Sequence, residues 1–366
     1  MNNIFTTSRS HYQSYLDSPR LFYVTYCAKG TGLAPKLVNP NLAIGTFVHE
    51  VCGSVMSGGS EADAIKHQTE IFQDSAQTRG VDSPFSPETL LALAQGLSKT
   101  WLRVRLPQIK KDFEILAVEQ ERKLSIHDDT LQLLIPVRLD AELKNRYSGT
   151  YHALEMKTTS SQRSYSYERY SYNIQPLMHT WVMHHVYGSC SDIMMEFLYK
   201  GWGADQGKKW HSVFLKGYEK IGVPPFDKNE YEVEYKRARG KDWTEIFVPD
   251  RFNQDEWHAL LGSKLDTIVS MESIVRSEKE LPDFQFQMFE AHKRIVEGLS
   301  ALEATKDKTE RRAILNIYFP LAYHMFDRHL IGFDPDDDGI MDSGDWIRRE
   351  PHHPLEKETL GQAQTQ

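Results

Sequence analysis

The stretch IPVRLDAELKNRYSGTYHALEMKTTS, residues 135–160, contains two apolar segments joined by a polar turn. Residues 131–143 and residues 151–158 are apolar at their centres, and Ser148-Gly149 between them is typical of a turn. This pattern predicts a β-hairpin. We expect the other elements of the fold to be arranged around it.

Three of the charged side chains on this hairpin suit a metal site: Asp140 near its end, and Glu155 and Lys157 on its second strand. Because alternate residues of a strand point to the same face, Glu155 and Lys157 project together. Two neighbouring carboxylates repel each other unless a divalent cation that prefers oxygen ligands lies between them. The hairpin therefore predicts a magnesium or manganese site. Such an ion lowers the pKa of a bound water, and Lys157 can neutralise developing charge.

A Glu-x-Lys pair on a surface hairpin is common by itself, so the surrounding sequence decides how to interpret it. Upstream, AIGTFVHE (residues 43–50) places His49 near the start of a predicted helix. Downstream, IQPLMHTWVMHHVYG (residues 174–188) predicts an apolar helix that begins near Gln175. This ordered set resembles the PD-(D/E)xK nuclease superfamily, and within it the RecB-like exonuclease branch. The pattern there is Gly-x-x-x-His, Asp, Glu-x-Lys and a helix beginning Gln-x-x-x-Tyr.

The resemblance implies a mixed α/β fold, in which a restriction-endonuclease-like core sheet is flanked by helices and extended by helical segments at both ends. It implies that His49, Asp140 and Glu155 are metal ligands for Mg²⁺ or Mn²⁺. It also implies that Lys157 is the catalytic lysine. Gln175 then helps to hold the lysine or the phosphate.

Two positions depart from the pattern of that branch. His179 stands where the branch usually has tyrosine. Residues 8–27 resemble the N-terminal helix pair of the family, with Ser18 where several members have the first cysteine of an iron-sulfur cluster. A cluster with four thiolates cannot be built from three cysteines, so we expect no iron-sulfur cluster. The three scattered cysteines, which suit a reducing cytosol, are Cys27, Cys52 and Cys190.

The composition is that of an ordinary globular protein, with 366 residues, 40% hydrophobic and 26% charged. The opening MNNIFTTSRSHY is polar, and no apolar run approaches the roughly 18 residues of a membrane span. We therefore expect a soluble cytoplasmic protein with no membrane partner.

The apolar patterns and breaks predict four regions. Residues 1–112 form a mostly helical N-terminal region carrying His49, residues 113–235 form the nuclease core, residues 236–330 form a helical C-terminal region, and residues 331–366 hold an acidic loop and a disordered tail. The predicted strands are 113–126, 131–143, 151–158 and 192–201. The predicted helices include one that begins at Ser18-Pro19, together with 88–105, 175–187, 257–275, 284–299 and 311–326.

A net charge of −8 is unfavourable for a protein that binds nucleic acid, but local positive patches are sufficient for DNA contact. The strongest candidate is SSQRSYSYERYSYN, residues 160–173, directly after the Glu-x-Lys strand. Aromatic rings interleaved with guanidinium groups suit the stacking of unpaired bases. In the alternative interpretation, these tyrosines pack on the sheet. The candidate contacts are Arg163, Tyr165, Tyr167, Arg169 and Tyr170.

A second motif, DPDDDGIMDSGD (residues 334–345), has the spacing of an EF-hand calcium loop with Gly339 at its sixth position. Calcium is therefore a candidate ligand, although Pro335 is unusual there and an acidic turn also arises from composition alone. The candidate ligands are Asp334, Asp336, Asp338, Asp342 and Asp345.

The sequence GADQGKKW, residues 203–210, resembles a phosphate loop only weakly, because Lys209 stands where serine or threonine belongs. We expect no ATP site, so a helicase or recombination protein that acts with this one belongs to another chain. The sequence as a whole predicts a metal-dependent exonuclease on single-stranded DNA ends, acting in DNA processing or repair. The alternative is a non-catalytic nucleic-acid-binding or scaffolding protein on the same fold.

Overall fold

A computed structural model describes residues 3–82, 87–159, 163–200, 269–322 and 346–349. The chain forms two compact units, each assembled from separate parts of the sequence. The first unit contains Met1–Lys36, Glu121–Arg138 and Arg276–Gln366, and the second contains Leu37–Gln120 and Leu139–Val275.

The described chain alternates between helices and short strands. In chain order the strands are β1 (Asn3–Thr6), β2 (Leu33–Pro35), β3 (Phe113–Val118), β4 (Glu121–His127), β5 (Leu131–Arg138), β6 (Ala141–Asn145), β7 (Tyr151–Thr159), β8 (Asp192–Tyr199), β9 (Val269–Ile274) and β10 (Trp346–Arg348). The α-helices are α1 (Arg9–Asp17), α2 (Pro19–Tyr26), α3 (Pro40–Met56), α4 (Glu61–Arg79), α5 (Pro87–Val104), α6 (Leu106–Asp112), α7 (Arg163–Ser171), α8 (Ile174–Tyr187), α9 (Leu281–Ala304) and α10 (Lys308–Tyr318).

The second unit is built on a five-stranded mixed sheet in the order β3-β6-β7-β8-β9. Strands β6 and β7 form the predicted hairpin and pair antiparallel. Strand β8 joins β7 in parallel, after the chain has passed through α7 and α8. A parallel neighbour requires such a crossover, because its start must return to the same end of the sheet. Strands β3 and β9 pair antiparallel with β6 and β8, respectively.

Helices cover this sheet on both faces. Leu154 and Met156 of β7 face one side, where they join a buried apolar cluster with Phe47 of α3 and Trp101 of α5. Helix α8 packs against β7 and β8, and Glu155, which alternates with those two apolar residues, contacts side chains of α8. The alternation of β7 therefore separates an apolar face from a face that carries charge.

Helix α3 begins where the sequence favours a helix start. Asn39 accepts hydrogen bonds from the backbone N–H groups of Asn41 and Leu42, and Pro40 occupies the first turn. An asparagine cap satisfies amides that have no partner within the helix, and proline there loses no hydrogen bond. The buried residues of α3, including Val48, Val51 and Cys52, then pack against α4 and α5. This packing holds the helix that carries His49.

The first unit has its own sheet and its own core. Strand β5 pairs in parallel with β1 and antiparallel with β4, and β2 pairs with β10 in a separate ribbon. The aromatic rings of Phe22, Tyr23 and Phe319 pack together between α2 and the end of α10. As the sequence predicts, Ser18 caps α2 by accepting a hydrogen bond from the backbone N–H of Leu21.

Two predicted strands are wrong in their extent, because each is divided between the two units. Residues 113–126 form β3 and β4, which belong to different sheets and are separated at Glu119, where φ is +49°. Residues 131–143 form β5 and β6, also in different sheets and separated at Asp140. Apolar alternation continues across the second break, at Val137, Leu139, Ala141 and Leu143, so the pattern alone does not reveal it. At the first break, five polar residues (119–123) separate the two apolar segments.

The helix predicted over residues 257–275 is wrong at its C-terminal end, since residues 269–274 form β9 at the edge of the sheet. Hydrogen bonding to β8 prevails there over an apolar spacing that also fits a helix. The first part of that segment lies outside the described residues. The helices predicted over 88–105, 175–187 and 284–299 are confirmed by α5, α8 and α9. Within the described residues, no helix has the length and apolar character that crossing a membrane requires.

Candidate metal-dependent nuclease site

Glu155 and Lys157 lie side by side on β7, as strand alternation predicts. The Lys157 ammonium group donates a hydrogen bond to Oε1 of Glu155. Glu155 is almost fully buried, whereas Lys157 is partly exposed. The lysine therefore places its positive charge beside a buried carboxylate and still reaches the surface.

Asp140 lies between β5 and β6 and is held against β7. Its Oδ2 accepts a hydrogen bond from the backbone N–H of Met156, the residue between Glu155 and Lys157. Its Oδ1 accepts a hydrogen bond from Nδ1 of His49 at 3.2 Å. The structure thus brings together four of the residues that the sequence selects, although they come from α3, the start of β6 and β7.

A single row of residues on α3 brings His49 to this position. Residues four apart lie on one face of a helix. On α3 this row consists of Asn41, Gly45, His49 and Gly53, and each of the four lies against a different strand end. Asn41 contacts Lys200 after β8, Gly45 faces Thr158 of β7, His49 contacts Asp140 before β6, and Gly53 faces Glu119 after β3. Because β8, β7, β6 and β3 are neighbours in that order, α3 crosses one edge of the sheet strand by strand.

Small residues suit this row, because the helix passes close to the sheet. A β-carbon at Gly45 would lie 3.3 Å from the Thr158 hydroxyl oxygen, and one at Gly53 would lie 3.4 Å from Cγ of Glu119. Larger side chains at either position would push α3 away from the strand ends. The Gly-x-x-x-His spacing therefore has a direct cause, because Gly45 permits the approach and His49 uses it one turn later.

His49 and Asp140 stabilise each other's charged forms. Burial alone lowers the pKa of His49, but the negative charge and the hydrogen bond of Asp140 outweigh burial and raise it to about 9. Burial alone raises the pKa of Asp140, but His49, the charge of Lys157 and the backbone N–H of Met156 together outweigh burial, so the pKa of this carboxyl lies below its ordinary value. His49 is therefore protonated at neutral pH.

The first turn of α8 supports Glu155 from the other side. The side-chain amide of Gln175 donates a hydrogen bond to Oε1 of Glu155, which also accepts from Lys157. Gln175 is 4% exposed, and its Oε1 has no hydrogen-bond partner among the described residues. Asn173 caps α8 by accepting from the backbone N–H of Gln175, which fixes where this side chain starts. His179, one turn later, has its Nε2 3.6 Å from Oε2 of Glu155.

Glu119 is a candidate ligand that the sequence analysis missed. One donor atom from each of His49, Glu119 and Asp140 lies within 4.8 Å of the others. The backbone N–H of Glu119 donates to the backbone carbonyl of Asp140 at 3.3 Å, and its positive φ turns the chain at the end of β3. From the sequence, Glu119 lies within the predicted strand 113–126 and belongs to no motif, so no sequence signal selects it.

This donor set fits a divalent cation. Its two carboxylates supply the oxygen ligands that magnesium and manganese prefer, and its imidazole adds one nitrogen ligand; two of the three residues are partly exposed. Glu155 is not a member of this three-residue group. Its oxygens instead contact Lys157, Gln175 and His179. The sequence therefore identified His49 and Asp140 within the group, and Glu155 beside it.

The tyrosine-rich segment forms α7, directly after β7. Tyr167 and Arg169 are exposed to solvent, as base stacking requires. Tyr170 instead packs its ring against Phe197 of β8, and the ammonium of Lys157 lies 6.0 Å from its ring centre. The packing alternative therefore applies to Tyr170, whereas base stacking by Tyr167 and Arg169 stays a prediction. Arg163 and Tyr165 also belong to α7, but their side chains lie outside the described residues.

Two further sequence motifs lie outside the described residues. One is the acidic loop of residues 334–345 with its candidate calcium ligands, and the other is residues 203–210, the weak phosphate-loop match.

Comparison with known proteins agrees with this geometry. The sequence model of the PD-(D/E)XK nuclease superfamily matches residues 6–285, well over half of the chain. The chain therefore belongs to the PD-(D/E)XK nuclease superfamily. A search of curated proteins for relatives gave no match.

Proposed function

We propose that the protein is a magnesium- or manganese-dependent deoxyribonuclease that acts as an exonuclease on single-stranded DNA ends. The observation that carries this proposal is the convergence of a three-residue donor group with a Glu-Lys pair at one sheet edge. The donor group contributes His49, Glu119 and Asp140, and the pair is Glu155 with Lys157. Membership of the nuclease superfamily supplies the reaction class.

Each residue of the chain has a distinct part in this proposal. His49, Asp140 and Glu119 would hold the cation, with Glu155 as a further ligand once it turns from Lys157 toward the ion. A divalent cation held there supplies positive charge that stabilises the transition state and eases ionisation of the attacking water. Lys157 then provides a mobile ammonium group that neutralises charge developing on the phosphate.

Gln175 acts through Glu155 in this proposal. Its amide N–H holds Oε1 of Glu155, so it fixes the carboxylate orientation without touching the cation. Residues that orient ligands in this way typically affect metal affinity or activity about 10- to 100-fold. The unpartnered Oε1 of Gln175 can accept a hydrogen bond from a water that enters the site.

The preference for single strands rests on α7. Tyr167 and Arg169 are exposed on the segment that follows the Glu-x-Lys strand, and Tyr170 brings this helix to Lys157. Unpaired bases can stack on such side chains without sequence preference, because each base has an aromatic face. We place the activity in DNA processing or repair in the cytoplasm, together with a helicase or recombination protein on another chain.

One assay tests the proposal against a non-catalytic nucleic-acid-binding or scaffolding role. End-labelled single-stranded and double-stranded DNA is incubated with the protein in manganese, in magnesium or in chelator. We expect degradation of the single strand that requires metal and that falls about 10²- to 10³-fold in Lys157→Ala. Lys66→Ala, which removes an exposed lysine from α4, is the matched control and should cleave at the parental rate.

The substrate and the products separate the remaining alternatives. Mononucleotides released from labelled ends indicate an exonuclease, and cleavage of a circular single strand would contradict that mode. Binding of DNA that is unaffected by chelator, with no cleavage in either metal, would support the scaffolding alternative.

A further inference from the structure

Asn41, the first residue of the row on α3, contacts a lysine that the proposed reaction does not use. This lysine, Lys200, follows β8 directly, and its Nζ donates a hydrogen bond to Oδ1 of Asn41 at 2.9 Å. Its backbone N–H donates to the carbonyl of Thr159 at 2.8 Å, which fixes the residue at the end of the sheet. Lys200 therefore lies at the same sheet edge as the His49 donor group, at the other end of the row.

The surroundings of Lys200 are unfavourable for a cation. The residue is only 6% exposed, and among the described residues no carboxylate forms an ion pair with it. A buried ammonium group is costly unless an anion accompanies it. Its described partner, Asn41, is neutral and belongs to the first turn of α3, where the helix dipole is positive. A neutral side chain here would avoid this cost. The positive charge of Lys200 is therefore expected to have a role other than stabilising the fold.

We propose that Lys200, which lies at the amino end of α3, binds a backbone phosphate of the nucleic acid, at a nucleotide next to or near the one at the His49 donor group. This proposal rests on the proposed function. A phosphate would supply the negative charge that no described residue brings to Lys200 in an ion pair, and the positive end of the helix dipole favours an anion. The lysine has three N–H groups, of which the bond to Asn41 uses one.

The spacing along α3 suits this assignment. Asn41 and His49 are eight residues apart, which corresponds to about 12 Å along the helix axis. A phosphate at Lys200 would therefore belong to a different nucleotide from the one that is cut. Burial lowers the pKa of Lys200 to about 8, so the group still carries its charge at neutral pH. Such a contact would position the strand over the metal donors without taking part in cleavage.

The test measures the binding of a short fluorescein-labelled single-stranded oligonucleotide by fluorescence anisotropy over a range of sodium chloride concentrations. Calcium replaces manganese so that binding is separated from cleavage, and a gel checks that the strand stays intact. We expect Lys200→Met to weaken binding about tenfold. The plot of log affinity against log salt has a negative slope, and the magnitude of this slope should become smaller by about one, as expected when one phosphate contact is lost. Lys200→Arg should keep the parental slope.

Lys66→Met is the matched control, because it removes one exposed positive charge from α4 in the same unit. It should leave both the affinity and the slope unchanged. If Lys200 only fixes α3 to β8, Lys200→Met will alter the unfolding temperature while the salt slope stays parental, and this result overturns the proposal. Lys200→Gln is measured in the same way if the methionine variant does not fold.

A parallel cleavage assay in manganese separates this proposal from the proposed function. If the parent cleaves while Lys200→Met binds with parental affinity and slope, only the Lys200 proposal is overturned. If the parent binds the oligonucleotide without cleaving it, the nuclease proposal fails, and the Lys200 contact is decided by the binding data. A parent that binds no nucleic acid overturns both proposals.

Discussion

Oδ2 of Asp140 accepts a hydrogen bond from the backbone N–H of Met156. Since Met156 lies between Glu155 and Lys157, this bond holds the aspartate beside both members of the Glu-x-Lys motif. It also leaves Oδ1 directed at His49. Residues distant in the sequence are therefore joined by the backbone of β7, and a side-chain substitution at Met156 leaves the N–H donor in place.

Metal binding should release a proton from His49. Asp140 raises the pKa of His49 to about 9, so the imidazole is protonated at neutral pH and must lose this proton to become a ligand. We expect manganese affinity to rise with pH until about pH 9. Calorimetry at neutral pH in buffers of different ionisation enthalpy should show release of about one proton. His67→Ala, an exposed histidine of α4, should behave as the parent. A binding enthalpy independent of the buffer would contradict the prediction.

Glu119→Gln should weaken manganese binding. The substitution keeps the size of the side chain but removes one anionic donor from the three-residue group. We expect the dissociation constant measured by calorimetry to increase at least about tenfold. The control is Glu114→Gln, which removes an exposed carboxylate from the same strand, β3. Equal manganese affinities for these two variants would remove Glu119 from the site.

Tyr167→Ala should weaken binding of single-stranded DNA more than binding of duplex. The ring is exposed on α7, and the stacking of one base on an aromatic ring contributes about 1–3 kcal/mol. We expect the affinity for a single strand, measured by anisotropy in calcium, to fall about 5-fold or more. Tyr147, at the turn of the β6-β7 hairpin, is also exposed, and Tyr147→Ala serves as the matched control. An equal loss for single strands and duplex would argue against base stacking.

His292 in the first unit should make stability depend on pH. Its Nδ1–H donates to the carbonyl of Met288, and its Nε2 contacts the hydroxyl of Thr7. Burial lowers the pKa of this neutral imidazole to about 4, against about 6.5 in the unfolded chain. As the pH falls, the unfolded state takes up a proton first. The contribution to stability is therefore complete above about pH 6.5 and is lost as the pH falls toward 4.

Denaturant titrations of the parent and of His292→Gln test this prediction. The free energy of unfolding of the parent should fall more steeply between about pH 6.5 and 4, by roughly 3 kcal/mol at most relative to the variant. Other groups that titrate in this range affect both proteins equally, so the difference isolates the histidine. Parallel pH profiles would contradict the assignment of His292 as a buried neutral residue.

Local patterns predicted which side chains of the site share a face, whereas the family resemblance supplied His49 and Asp140 as metal ligands. The alternation of β7 requires Glu155 and Lys157 to share a face, and the Gly45 and His49 spacing requires one face of a helix. Glu119 was different. Its approach to Asp140 depends on a backbone break with positive φ at the end of β3, and no residue type there demands it. At the same break, residues 113–126 divide between two sheets.

Pairing between distant segments was the second feature that could not be predicted from the sequence. Strand β9 pairs with β8 across a long interval of sequence, and Met271 fits a helical spacing as well as an edge strand. The order β3-β6-β7-β8-β9 therefore could not be derived from periodicity alone. By contrast, Ser18 and Asn173 cap helices through bonds to their own neighbours, so such starts can be predicted from the sequence.

The most direct test of the central claim is to locate manganese by anomalous diffraction in crystals soaked with the ion. The account predicts an anomalous peak within bonding distance, about 2.0–2.6 Å, of one donor atom from each of His49, Glu119 and Asp140. Manganese bound at another position, with no peak beside Asp140 at saturating concentration, would contradict it.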